Sequence, residues 1–187
     1  MAAEQEWPKG IDWWNKISIK TVDLAVARSE AYLKETVASA QTIQDRADKL
    51  IGIVTPIFSG ILIFTLTTLN KIGDILHITG IAVMSVICIA LYFLLQNIKG
   101  YAINVPGGFG EDLINNQTIN NELTADEQYL QIALSVCKNN KINAKANDDF
   151  NLKRSARNQI AINVLVIGLI SSPILGWLIH LLNVNCF

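Results

Sequence analysis

The stretch LIGIVTPIFSGILIFTLTTL, residues 50–69, contains no Lys, Arg, Asp or Glu. About 20 predominantly apolar residues are what a helix needs to cross the hydrocarbon core of a bilayer. Residues 75–98 and 158–187 are charge-free in the same way. A helix buried in a soluble bundle normally keeps a polar, solvated stripe. Residues 50–69 offer only Thr, Ser and Gly, and hydroxyls that bond back to their own helix are tolerated in lipid. The sequence therefore predicts an all-α integral membrane protein with three transmembrane helices.

Working outward, the positive charges orient these spans. Of the 15 Lys and Arg residues, Lys71 alone falls in the connection after the first span, and none follows the third. The other 14 lie before residue 50 or between 98 and 157. Basic residues near the membrane mark the cytoplasmic side, so the chain is expected to be a multi-pass protein of the inner (cytoplasmic) membrane with its N-terminus inside. Residues 1–49 form an N-terminal cytoplasmic segment and long helix, and 50–98 a transmembrane hairpin with spans at 50–69 and 77–97. Residues 99–156 are a cytoplasmic loop and helix, and 158–182 the third span. The two cytoplasmic parts are expected to make a helical bundle. The opening residues MAAEQEWPKG lack the basic region and apolar run of a cleaved signal, so the spans themselves are expected to direct insertion.

Composition narrows function by exclusion. The 187 residues are 51% hydrophobic and 17% charged, against about 25% charged in an average soluble domain. A net charge of −1 removes the electrostatic basis for direct nucleic-acid binding. Cys88, Cys137 and Cys186 are scattered and form neither a disulfide framework nor a metal-ligand spacing. The two histidines, His77 and His180, both fall at the expected outer face. There is no nucleophile motif and no P-loop, and the adjacent acids Asp148–Asp149 and Glu111–Asp112 read as solvated charge. The sequence gives no catalytic residue, no metal site and no cofactor.

The helix leading into the first span carries two interleaved seven-residue repeats. One is Val22, Ser29, Thr36, Ile43 and Leu50; the other is Val26, Leu33, Ala40, Ala47 and Val54. Together they make an a/d seam, half of it small or hydroxylated, which permits close helix approach. Val26, Leu33, Ala40 and Ala47 are the expected contacts between copies. At about 1.5 Å per residue, this helix would stand roughly 40 Å off the membrane. Ahead of it, Trp7, Trp13 and Trp14 suit either an interfacial anchor or packing against neighbouring helices.

After the second span, Pro106, Gly107, Gly108 and Gly110 break any helix. The segment Gly107-Gly108-Phe109-Gly110 reads either as a connector or as a loop presenting backbone amides to an anion. Thr124 and Glu127 form a capping box, so a helix is expected to begin there and to run into the third span. Asn139, Asn143, Asn147 and Asn151 recur every four residues, as a stripe bonded to a neighbouring subunit or as solvated surface. The cluster Lys153, Arg154 and Arg157 reads as a membrane-edge signal, or as an anion site where several copies bring it together. Within the spans, Thr55, Ser59 and Asn163 are the polar groups suited to a gated path or to interhelical bonds. The Pro56–Gly60 and Pro173–Gly176 pairs mark points where spans bend or approach closely.

The order of these elements is distinctive. A helix ends in DRADKL (Asp45–Leu50) and a transmembrane hairpin follows. A Pro106-to-Gly110 loop leads to L-T-x-x-x-x-Y-L (Leu123–Leu130), and an Asn-bearing helix feeds a basic segment and a last span. Over most of residues 40–182 this resembles the small membrane effectors of bacterial anti-phage systems. It looks most like the Pycsar-type transmembrane effectors and more loosely like the SLATT-type. The resemblance implies a homo-oligomer that acts on membrane lipid, triggered by a cyclic nucleotide or a soluble defence-system protein. Residue by residue it singles out Phe109, Gly110, Tyr129 and Arg157, without a chemical role for any of them. The expected function is thus an oligomeric effector that perturbs or perforates the cytoplasmic membrane. The alternative is a non-conducting scaffold that recruits a soluble partner through residues 102–157.

Overall fold

A computed structural model describes residues 16–68, 74–98, 102–107 and 122–185, the last three of these as backbone. Every regular element in them is helical: α1 spans Ile19–Thr67, α2 Ile75–Ile98 and α3 Ala125–Asn185. Each is long and apolar enough to cross a membrane. The start of α3 is set by the capping box. The Thr124 amide donates to Glu127 Oε2 at 3.0 Å, and the Glu127 amide to Thr124 Oγ1 at 3.3 Å. Pro56 and Pro173 lie inside α1 and α3 without ending either helix.

The chain divides into two units. The first comprises residues 1–40 and 102–150, and its helices are the early parts of α1 and α3. Both helices continue into the second unit. Val22, Leu130 and Ala133 form a small core, with Ile17 and Val26 packed on it. Further along, Thr36 of α1 meets Asn147 of α3. Both contacts advance in the same direction along the two helices, so they run parallel.

The second unit comprises residues 41–101 and 151–187. Here Ala47 of α1, Ala90 and Leu94 of α2, and Ala161 of α3 form a core that is fully buried. Glycines bring these helices close. A Cβ on Gly80 would sit 2.8 Å from Thr65 Oγ1, and one on Gly168 would sit 2.3 Å from Val86 Cγ1. One on Gly176 would lie 2.1 Å from Thr79 Oγ1 and 3.3 Å from the Thr79 Cα. Small residues at such crossings gain contact where no hydrophobic force separates helix from lipid.

The seam of α1 is where the seven-residue repeats place it. Val22, Leu33, Thr36, Ala40, Ile43, Ala47 and Val54 are buried, and Val26, Ser29 and Leu50 are half-buried. Within one chain Leu33, Ala40 and Ala47 are at most 1% exposed and Val26 is half-buried. In the first unit Thr36 of the seam bonds to Asn147 of α3, and in the second Ala47 packs with Ala90 and Leu94 of α2 and Ala161 of α3.

Candidate functional site

From Leu130 to Ala161 the buried positions of α3 are Leu130, Ala133, Cys137, Asn140, Ala144, Asn147, Asn151, Arg154, Asn158 and Ala161. They alternate steps of three and four, the period of a helix packed against a parallel partner. Half of them are polar. The asparagine stripe is thus only partly where four-residue spacing puts it: Asn147 and Asn151 are buried, Asn143 is half-buried and Asn139 is exposed. The amides that are buried serve contacts within the chain.

In the first unit, Asn147 is the centre. Its Nδ2 donates to Thr36 Oγ1 at 3.0 Å and to the Asn104 carbonyl at 2.8 Å, while its Oδ1 accepts from the Asn104 amide at 3.1 Å. One amide side chain therefore clamps the backbone of residue 104 to the seam. Asn140 donates to Ser29 Oγ at 3.0 Å, and the Ser29 hydroxyl lies 3.8 Å from Cys137 Sγ. Burial pushes the Cys137 thiol up from its ordinary value. On the surface, the Tyr32 phenol donates to Asp148 and the Tyr129 phenol to Asp23. Those hydrogen bonds to carboxylates raise both phenols above their ordinary value.

The clamp predicts a local effect. Asn147→Leu removes three hydrogen bonds, each contributing about 0.5–1.5 kcal/mol, and leaves the peptide of residue 104 without its partners. Hydrogen exchange at the Asn104 amide should accelerate at least tenfold, while amides within α1 near Leu33 keep their rates. Unchanged exchange at Asn104 would show that the clamp does not hold this segment.

The second unit holds a polar layer at the residues where charge gives way to apolar helix. Arg154, 5% exposed, donates through Nη2 to the Asn97 carbonyl at 3.0 Å and to Gln44 Oε1. Asn97 is fully buried and returns two bonds from Nδ2, to the Arg154 carbonyl at 3.1 Å and to Asn158 Oδ1 at 2.6 Å. Asn158 Nδ2 donates to the Ile43 carbonyl at 3.1 Å. All three helices are joined by these bonds. The Oδ1 of Asn97 has no hydrogen-bond partner among the described residues.

The residues singled out from the sequence are dispersed. Lys153 is exposed, Arg157 is half-buried and Arg154 is turned inward, so the three do not form one basic face. Gly107 adopts a φ of 97°, the left-handed region that favours glycine. Gly108, Phe109 and Gly110 lie outside the described residues, as do Trp7, Trp13 and Trp14. Thr55, Ser59 and Asn163 are all on the outer surface of the chain. Ser59 donates to the Thr55 carbonyl at 3.0 Å, and Asn163 Oδ1 accepts from Gln159 Nε2 at 3.0 Å. Sequence reasoning missed Gln44, Asn97 and Asn158. Extending the α1 repeats to a partner helix would have pointed to Asn158, because it falls on the three-four alternation. No family model matches the chain, and neither a curated protein nor a solved structure matches it.

Proposed function

We propose that this protein is an oligomeric membrane effector that perturbs or perforates the cytoplasmic membrane, in anti-phage defence, in response to a nucleotide signal or a protein partner. The observation that carries this reading is the buried Arg154 layer at the edge of the spans. A guanidinium held among amides between helices is costly compared with apolar packing. Ionisable groups kept at such depths mark functional sites more often than structural ones. In this reading the layer is the bistable element: its bonds hold the three helices together at rest, and a trigger that breaks them lets the spans rearrange. The distribution of Lys and Arg supports a cytoplasmic N-terminus. Any conducting path runs between copies, since glycine contacts leave little room among the helices of one chain.

A second reading, the scaffold, draws on exposed apolar side chains in the first unit. Leu24, Ile142 and Phe150 are 68%, 56% and 44% exposed, enough to receive a soluble partner. Purified protein in liposomes separates the two readings. The effector should release a trapped ion-sensitive dye, alone or on addition of cyclic nucleotides, and its expression should depolarise cells. Sealed liposomes and normally polarised cells in every condition would overturn the effector and leave the scaffold.

A further inference from the structure

We infer that copies of this chain meet through the face of α3 that carries Gln159 and Asn163, with the adjoining groove receiving the neighbour's side chains. The inference rests on the oligomeric reading above and names its contact. Both amides lie in the charge-free segment 158–187 and both are exposed. Asn163 is six residues beyond Arg157, about 9 Å deeper along the helix axis. Ser59, Ser85 and Ser171 are also on the outside of apolar helix, but each donates to a carbonyl of its own helix. The amides do not have that outlet. Gln159 Nε2 donates to Asn163 Oδ1, which leaves the Asn163 Nδ2 hydrogens and the Gln159 Oε1 without partners among the described residues.

Lipid tails supply neither donor nor acceptor, so polar groups at this depth favour contact with protein. Copies inserted with one topology are related by rotation about the membrane normal, which carries each residue to its own depth. The neighbour therefore presents the same free N–H and C=O at the level where they are needed. An amide is both donor and acceptor, so the face is complementary to itself. Beside it lies a groove lined by Val86, Ile160, Asn163, Val164, Ile167 and Gly168. Gly168 keeps its floor low, and Ile167, 67% exposed, stands at its rim.

Cross-linking in the native membrane tests this. A photo-reactive benzoylphenylalanine is placed at Ile167, or at Leu169 on the opposite side of the helix, in two co-expressed copies with different epitope tags. Irradiation should give an adduct carrying both tags from position 167 and little from 169. Asn163→Leu in the same background should cut that yield about 3- to 30-fold, the range for one or two interhelical bonds. Asn163→Gln, which keeps the amide, should restore most of it. Adducts with lipid or with a different protein only, or equal yields from both positions, would overturn the contact. So would an unchanged yield with Asn163→Leu. Double-tagged adducts without ion release would keep this interface and remove the effector reading; ion release with lipid adducts alone would do the reverse.

Discussion

Arg154→Leu should lower the melting temperature of the detergent-purified protein by roughly 10 °C, a loss of about 3 kcal/mol or more on the scale for chains of this size. Its Nη2 donates to two acceptors, the half-buried Gln44 Oε1 and the buried Asn97 carbonyl. Hydrogen bonds from charged groups contribute about 1.5–3 kcal/mol each, and an orphaned buried acceptor adds its desolvation cost. Leucine removes both donors while Asn97 and Gln44 stay in place. Arg154→Lys keeps the charge but not the planar fork, so it should fall between parent and leucine variant. Lys153→Gln removes the same charge from the exposed neighbouring position and should stay within about 0.5 kcal/mol of the parent. A competing effect runs the other way, because apolar replacement of buried charge can stabilise. It requires that the partners be replaced too, and here they are not. A leucine variant as stable as the parent would mean that the polar layer does not hold the helices.

That layer also marks where the sequence stops being legible. The α1 seam can be read directly, since ten residues from Val22 to Val54 repeat without a break and a packed helix buries that pattern. The helix start at Thr124 is equally local: Thr and Glu three residues apart satisfy each other's backbone amides wherever they occur. The α3 stripe was harder because constant four-residue spacing drifts by about 40° per step around a helix. From Asn139 to Asn151 the drift accumulates to a third of a turn, so the stripe starts exposed at Asn139 and reaches the buried face only by Asn147. Asn140, Ala144, Asn147 and Asn151 hold that face only by alternating three and four. The same alternation passes through Asn158, Ala161 and Leu165 and omits Asn163, which is why that amide is outside. Arg154 was hidden for a different reason. An arginine just before an apolar span is ordinary as a topology signal, and nothing local distinguishes one that faces water from one that faces Asn97.

Gly168→Ala is the sharpest probe of how closely the helices approach. At Gly60 nothing lies within 4 Å of an added Cβ, so Gly60→Ala reports the helix-propensity gain alone, up to about 1 kcal/mol. At Gly168 the added Cβ meets both methyls of Val86, at 2.3 and 2.6 Å, and its Cβ at 3.1 Å. Valine is stiff at χ1, and rotation would exchange one clashing methyl for the other, so the helices must separate. Overpacking of this kind costs about 1–3 kcal/mol, and Gly168→Ala should melt below Gly60→Ala by that amount. Val86→Ala is the internal check. Alone it removes two methyls from a packed contact and should destabilise; combined with Gly168→Ala it removes both short contacts and should stabilise. A change of sign between the two backgrounds identifies a direct contact, because independent sites add. Gly176→Ala should resist the equivalent rescue by Thr79→Ala, since there a backbone atom, the Thr79 Cα at 3.3 Å, remains after the hydroxyl is gone, whereas Val86→Ala leaves only a side-chain Cβ at 3.1 Å. Additive effects of Gly168→Ala and Val86→Ala would mean that α2 and α3 are not in contact at this level of the membrane.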